Sequence, residues 1–115
     1  LMEAVYAAVP KTTAVGVRIA ASDWVEGGVT IEDAVKFTAK LKERGAAYAC
    51  VSSGGNDPAA HIKVAPNYQV GFANEIKQKT GIVTRAVGMI VAPEDAENIL
   101  QQDHADQIAL AIGSK

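Results

Sequence analysis

Four short apolar runs, separated by segments of helical pattern, constrain the fold of this chain more than any other feature. They cover residues 15–20, 48–51, 83–87 and 107–111, and each leads into small, glycine-bearing or polar residues. A strand and a helix that repeat about every 30 residues are typical of βαβ units with parallel strands. Nearly continuous apolar runs are expected where both faces of the sheet are covered. The sequence therefore predicts an α/β protein with four parallel strands.

The helical segments carry start and stop signals. Thr30 followed by Asp33 resembles a capping box and predicts a helix over residues 31–44 that ends at Gly45. Pro93 is expected in the first turn of a later helix, where acidic residues follow it near the positive end of the dipole. The remaining helical patterns cover residues 1–9 and 68–79 and end at Pro10 and Gly81.

Four such units make half of a TIM (β/α)8 barrel, which is the fold class that the pattern favours. An open, flavodoxin-like sheet is the alternative. It is less favoured because the first strand is not followed by a phosphate-binding glycine loop that opens a helix. The length of 115 residues predicts one domain.

Composition excludes several classes of function. The net charge is -2, and the 11 Lys and Arg residues are scattered, which argues against a nucleic-acid partner. No apolar stretch approaches the roughly 20 residues of a membrane span, so no membrane role is expected. Cys50 is the single cysteine, in an apolar run typical of a buried residue. A reducing, cytoplasmic location is therefore predicted.

Both ends of the chain suggest a fragment. The chain opens on Leu1 and Met2 inside a helical pattern, and it closes after Ile112 with no helix to cover the last strand. We therefore expect residues 1–115 to be one piece of a larger protein.

Arg18 is the first candidate for a functional residue. It lies among Val15, Val17 and Ile19 in the first strand, which runs into a polar, glycine-bearing loop. If that strand is buried on both faces, the guanidinium needs an anion or an acceptor-rich ligand, because an unpaired buried charge is very costly.

Four segments taken together resemble the Old Yellow Enzyme family, more narrowly its bacterial NADPH dehydrogenase and ene-reductase branch. They cover residues 18–28, 51–56, 66–70 and 86–90, with the sequences RIAASDWVEGG, VSSGGN, PNYQV and AVGMI. The resemblance extends over nearly the whole chain. It implies the C-terminal half of the flavin-binding barrel of that family, strands five to eight.

The resemblance also implies a cofactor site for FMN. Arg18 matches the strand-five arginine that hydrogen-bonds the N1 and O2 edge of the flavin and stabilises negative charge on its reduced form. Gly88, with the backbone of Val87 and Met89, matches the turn that holds the FMN phosphate. The following candidates match a loop beside that phosphate: Ser53 and Gly54.

The chain departs from the family pattern in several places. Ile112 stands where the family has an arginine that grips the phosphate, and the residues that bind substrate and donate a proton belong to the N-terminal half of the family's barrel. His61 and His104 do not match those catalytic positions and are expected to be loop histidines. Asp103 and Asp106 are expected to belong to a turn rather than to a metal site.

Three further aromatic or polar residues lie in the loops that follow the strands. Trp24 either lines the substrate entrance or shields the barrel rim, while Tyr68 and Gln69 are expected to start a helix and pack between subunits.

The leading interpretation is half of an FMN-dependent oxidoreductase, which passes hydride from NADPH through the flavin to an activated alkene. The chain alone is expected to be inactive and to bind FMN weakly or not at all. The alternative is a non-catalytic half-barrel module that self-associates. An aldolase or synthase barrel is a third candidate, although Lys63 and Lys77 lie in a loop and a helix rather than at a strand end. A homo-oligomer, or pairing with a complementary N-terminal half, is expected because both sheet edges are open.

Overall fold

A computed structural model describes residues 2–54, 62 and 64–110 of the chain. Helices and strands alternate throughout this part. In chain order they are α1 (Met2–Ala8), β1 (Val17–Ala20), α2 (Ile31–Glu43), β2 (Tyr48–Ser52), α3 (Val70–Thr80), β3 (Val83–Ala86), α4 (Pro93–Gln101) and β4 (Gln107–Ile108). None of the helices in the described part is long and apolar enough to cross a membrane.

The four strands form one parallel sheet in the order β1-β2-β3-β4. Each strand therefore pairs with its neighbours in sequence, and the direction of winding never reverses. A flavodoxin-like sheet reverses its strand order at a switch point. The observed order is that of a singly wound barrel segment, and it confirms the prediction of four parallel strands from half of a (β/α)8 barrel.

The predicted helix caps are present. The Asp33 amide donates to Thr30 Oγ1 at 3.2 Å, and the Thr30 amide donates to Asp33 Oδ2 at 3.2 Å, which completes the capping box of α2. Gly81 ends α3 in the left-handed conformation, with φ of +76°, and donates its amide to the Lys77 carbonyl. Such a C-terminal stop favours glycine because no Cβ is strained.

The two faces of the sheet differ sharply. One face packs against the helices and forms the apolar core. Its strand members are Val17, Ile19, Ala49, Val51, Ala86 and Ile108, and its helix members include Ala34, Ala73, Ile76 and Ile99. On the opposite face, Arg18, Cys50 and Arg85 are successive register partners. Cys50 is a free, buried thiol, as predicted.

The prediction that β1 is buried on both faces is wrong, because Arg18 is exposed. Its flanking residue Ile19 is buried in the core, while Arg18 itself is exposed. The alternation of side chains along a strand explains this difference, because the core covers only one of the two faces. An unpaired buried charge is therefore not the reason to regard Arg18 as a site residue.

Element boundaries differ from the prediction by a few residues. β1 begins at Val17 rather than residue 15, although Val15 already accepts a hydrogen bond from the Ala47 amide at 2.8 Å. α3 begins at Val70 rather than residue 68, since Asn67 has a φ of +60° and starts a turn before the helix. β4 is Gln107–Ile108, and the end of the predicted strand at residue 111 lies outside the described residues.

The amino-terminal edge of the sheet is tied by an ionic cluster. Lys77 Nζ donates to Asp103 Oδ1 at 2.6 Å and to Asp106 Oδ1 at 2.7 Å. The second carboxylate oxygen of Asp106 accepts the Thr84 amide at 3.0 Å. The cluster joins α3, β3 and the α4–β4 turn at the edge where barrels concentrate stabilising contacts.

Candidate functional site

The loops that follow β1, β2 and β3 meet at the carboxyl edge of the sheet. The Gly54 amide donates to the Ser22 carbonyl at 2.7 Å, which joins the first two loops. The Asn67 amide donates to the Met89 carbonyl at 3.1 Å, which joins the turn before α3 to the third loop. Ligands of parallel α/β proteins bind at this edge. The candidate site therefore lies at this edge.

A chain of side-chain hydrogen bonds connects these loops. Trp24 Nε1 donates to Ser53 Oγ at 2.7 Å, and Ser53 Oγ is 2.6 Å from Gln69 Oε1. Gln69 Nε2 donates to the Val87 carbonyl at 2.9 Å. The Gln69 residue is only 3% exposed. The sequence interpretation, which placed Gln69 at a subunit contact, missed this role.

Trp24 is the aromatic centre of the edge. Its ring lies 5.8 Å from the Phe72 ring in an edge-to-face arrangement and 6.4 Å from the Tyr68 ring. The backbone of Trp24 has a φ of +58°, and its amide donates to Ser22 Oγ at 3.0 Å. Trp24 thus packs against residues at the start of α3. Its two predicted roles, lining the substrate entrance or shielding the barrel rim, stay predictions.

The turn after β3 has unusual backbone geometry. Gly88 has a φ of +108° and Met89 a φ of +53°. A Cβ on Gly88 would overlap the Gln69 amide nitrogen and would lie 3.1 Å from the Tyr68 ring. Within the described part of the chain, the amides of Gly88 and Met89 donate to no backbone carbonyl. Backbone N–H groups left without an acceptor in such a turn suit an anion.

Arg18 and Arg85 place two guanidinium groups in one layer of the face that the helices leave open. Both pair in register with Cys50 of β2. Arg85 is anchored, because it lies 4.4 Å from the centre of the Tyr48 ring and its Nε donates to Gln107 Oε1 at 3.0 Å. No hydrogen bond or ion pair reaches Arg18 from the other described residues.

The sequence interpretation missed Arg85. A sequence signal was present, since Arg85 lies in a predicted strand, three positions before Gly88. What the sequence could not show is which face of β3 the side chain occupies.

The Asp, His and Lys residues that the sequence analysis considered but did not assign to the site were not found at the carboxyl edge among the described residues. Asp103 and Asp106 bind Lys77 at the amino-terminal edge, and this contact confirms that they belong to a structural turn. Hydrogen bonds that the Lys77 ammonium donates to both carboxylates raise the pKa of Lys77. His104 lies in the same turn, while His61 and Lys63 are outside the described residues. Among the described residues, no group of three or more His, Cys, Asp or Glu side chains could hold a metal ion.

The fold and the carboxyl edge thus define a barrel segment of the kind that binds a ligand with loops after its strands. No family model matches the chain. Curated relatives do match it. NADPH dehydrogenase from Geobacillus sp. (strain WCH70) is 44% identical over 95 residues, which is 83% of this chain and 28% of that enzyme. The NADPH dehydrogenase of Bacillus licheniformis is 45% identical over 95 residues, also 83% of this chain and 28% of its own length.

A solved structure supports the fold. Morphinone reductase matches with a TM-score of 0.56 and 22% identity, over 84% of this chain and 25% of its own. The matches to the NADPH dehydrogenases confirm the resemblance to the Old Yellow Enzyme family, and the chain aligns with the C-terminal part of those enzymes. The chain spans little more than a quarter of the length of these relatives. Its relatives are oxidoreductases by name.

Proposed function

We propose that this chain is the C-terminal half of the barrel of an FMN-dependent NADPH oxidoreductase, strands five to eight, which binds the cofactor phosphate and one edge of the flavin. The turn of Val87, Gly88 and Met89 at the carboxyl edge carries this proposal, in a chain 44% identical to an NADPH dehydrogenase. The intact enzyme would transfer hydride from NADPH through FMN to the β-carbon of an activated alkene.

The residues present fit FMN. The amides of Gly88 and Met89 lack backbone acceptors among the described residues, and a phosphate dianion is a strong acceptor for such groups. The absence of a Cβ at Gly88 permits a close approach to this backbone. Arg18 lies on the open face with its guanidinium unpaired in the described part, so it is available to an acceptor-rich ring edge. Gly54 belongs to the adjacent loop.

FMN, when bound, supplies the hydride chemistry, and the protein supplies position and charge. Arg18 would donate hydrogen bonds to the pyrimidine edge of the flavin, and its fixed positive charge would stabilise the anionic reduced ring. Val87, Gly88 and Met89 would hold the phosphate through the backbone, which leaves the ring end free to face the substrate. Ser53 and Gly54 would border the phosphate.

We propose that the chain alone is inactive and binds FMN weakly or not at all. The other half of the barrel is expected to supply the substrate-binding groups and further contacts to FMN, and Ile112 stands where the family has a phosphate-binding arginine. Each missing charge-assisted hydrogen bond to FMN is worth about 1.5–3 kcal/mol. Affinity should therefore fall by orders of magnitude. Sub-micromolar binding in a titration that follows flavin fluorescence, or alkene reduction by the pure chain, would contradict this.

A chimera tests the function itself. The aligned segment of the Geobacillus sp. (strain WCH70) NADPH dehydrogenase would be replaced by residues of this chain. The purified chimera should be yellow and should oxidise NADPH when an activated alkene is supplied. Arg18→Ala should lower the flavin content, while the control Arg44→Ala, on the helix side beside Glu3, should not. A colourless, inactive but folded chimera would argue against the proposal.

Self-association is the second candidate function, and two observations favour it. Among the described residues, β1 and β4 each pair on one side only. Phe37 and Leu110 are 56% and 68% exposed. Unpaired strand edges and exposed apolar side chains favour association with another protein surface. We propose that a second copy, or a complementary N-terminal half, covers them. A cytoplasmic location stays a prediction.

A further inference from the structure

The buried carboxamide of Gln69 joins two loops at the carboxyl edge. Gln69 occupies the N-cap position of α3, yet its side chain makes no capping hydrogen bond. A carboxamide that is withdrawn from water must find partners, because an unmatched buried amide is costly. Its two partners are Ser53 on the β2 side and the Val87 carbonyl on the β3 side.

The two end groups of the series Trp24–Ser53–Gln69–Val87 fix the direction of every hydrogen bond in it. Trp24 Nε1 can only donate, and the Val87 carbonyl can only accept. The amide nitrogen of Gln69 must therefore face Val87, and its oxygen must face Ser53. It follows that Ser53 accepts from Trp24 and donates its one hydroxyl hydrogen to Gln69.

This direction changes the role of Ser53. A hydroxyl group has one hydrogen to donate. Because that hydrogen is committed to Gln69, the side chain of Ser53 has none to offer a phosphate. The anion would instead depend on the amides of Gly88 and Met89, whose backbone follows directly from the Val87 carbonyl held by Gln69.

We propose that Gln69 is a positioning residue that holds the end of β2 and the Gly88 turn at a fixed separation, and that Ser53 acts through Gln69 rather than on the anion. The proposal rests on the proposed function only for the identity of that anion, the FMN phosphate. The glycine at residue 88 fits this role, since any Cβ there would overlap the Gln69 amide nitrogen.

Only an amide of this length performs both tasks. Methionine has a similar length but neither donates nor accepts strongly. Ionised glutamate accepts from Ser53 but has no hydrogen for the Val87 carbonyl, and protonated glutamic acid regains one. Gln69→Glu should therefore recover with acid, whereas Gln69→Met should not.

Hydrogen exchange of the 115-residue chain tests the proposal without ligand. The reporters are the Trp24 indole N–H, bonded to Ser53, and the Asn67 amide, bonded to the Met89 carbonyl. Gln69→Met should lower both protection factors about tenfold, the scale of one lost buried hydrogen bond, while core amides keep theirs. The control Gln101→Met, on the exposed side of α4, should change neither reporter.

Acidity separates positioning from simple loss of packing. Gln69→Glu should show low Asn67 protection at about pH 8 and recovery at about pH 5, because burial raises the pKa of such a carboxyl toward this range. Should Gln69→Met fail to fold, this variant alone decides. Unchanged reporter protection in a folded Gln69→Met, or no recovery of Gln69→Glu with acid, would overturn the proposal.

Inorganic phosphate and FMN provide the ligand arm, followed by the amide resonances of Gly88 and Met89. Gln69→Met should weaken binding of either probe about tenfold, and Ser53→Ala should weaken it less, since Ser53 donates nothing to the anion. A larger loss in Ser53→Ala than in Gln69→Met would overturn the role assigned to Ser53. If the unchanged chain binds neither probe, the same variants are compared in the chimera. A chimera that binds neither probe contradicts the proposed function, and the exchange experiment still decides the role of Gln69.

Discussion

At the scale of single residues, the candidate site depends on backbone that only some residues tolerate. Trp24, Asn67 and Met89 all have φ near +55°, and Gly54 and Gly88 are also positive. All five lie in the loops at the carboxyl edge. Non-glycine residues in this region are strained, and such strain is commonly found at functional sites. Three of the four non-glycine residues with positive φ in the described part lie at this edge, and the fourth, Asp103, lies in the α4–β4 turn. This distribution supports the choice of the carboxyl edge as the site.

Gly88→Ala should destabilise the chain by about 2–3 kcal/mol, because the left-handed backbone alone costs about 1–2 kcal/mol and the new Cβ overlaps Gln69. Urea denaturation gives the free energy of unfolding. The matched control is Gly27→Ala, which has a φ of +84° but no atom within 4 Å of the added Cβ. Equal decreases in the free energy of unfolding of the two variants would show that the contact with Gln69 does not contribute to the effect.

At the scale of elements, the ionic cluster of Lys77 with Asp103 and Asp106 fastens α3 to β3. Asp106 uses both carboxylate oxygens, while Asp103 uses one and is 74% exposed. Asp106→Asn should therefore cost about 1.5–3 kcal/mol in thermal or urea unfolding. Asp103→Asn should cost less than about 1 kcal/mol, as expected for an exposed ion pair. The reverse order would contradict the assignment.

The same cluster predicts a pH dependence. Burial opposes ionisation of Asp106, but hydrogen bonds from Lys77 and the Thr84 amide outweigh it and lower its pKa below the ordinary value of 3.8. A lowered pKa in the folded state stabilises the fold above the unfolded pKa, and this contribution is lost as pH falls through the folded value. Unfolding followed from pH 6 to about pH 2 should show a loss that is smaller in Asp106→Asn.

Lys77 also stabilises the fold, but the pH dependence of its contribution runs in the opposite direction. Its pKa is raised above 10.5 by hydrogen bonds to the two carboxylates. Its stabilisation is therefore complete below that value and is lost only as pH rises through the folded pKa. At neutral pH the whole cluster is in place.

How far the sequence predicts these features depends on the range of the contacts. The Thr30 capping box and the Gly81 stop are local, so residues within one helical turn encode them. Gln69 was missed because its partners Ser53 and Val87 are 16 and 18 residues away, and the Trp24 contact with Ser53 spans 29 residues. Arg18 was placed in the right strand, but its exposure depends on which face the helices cover. The contacts of Arg18, Ser53, Gly54, Val87, Gly88 and Met89 with FMN stay predictions.

At the scale of the whole molecule, the described part has one covered and one uncovered face of its sheet. If a second copy covers the open edges, light scattering at micromolar concentration should give at least twice the monomer mass of 12.0 kDa. Burial of about 1,000 Å² of apolar surface would contribute about 25 kcal/mol before the costs of association, which is enough to favour a dimer. A compact monomer at this concentration would contradict self-association.

The sequential strand order has a consequence for how the chain acquires its structure. Every sheet contact joins strands that are neighbours along the chain, so β1 meets β2, β2 meets β3 and β3 meets β4. A linear array of this kind behaves much like a repeat protein, in which order can start at any adjacent pair and spread outward. The central pair β2 and β3, joined by α3, has neighbours on both sides and is the natural nucleus. Kinetic refolding should then slow most when substitutions fall in α3, and much less when they fall in α1 or α4.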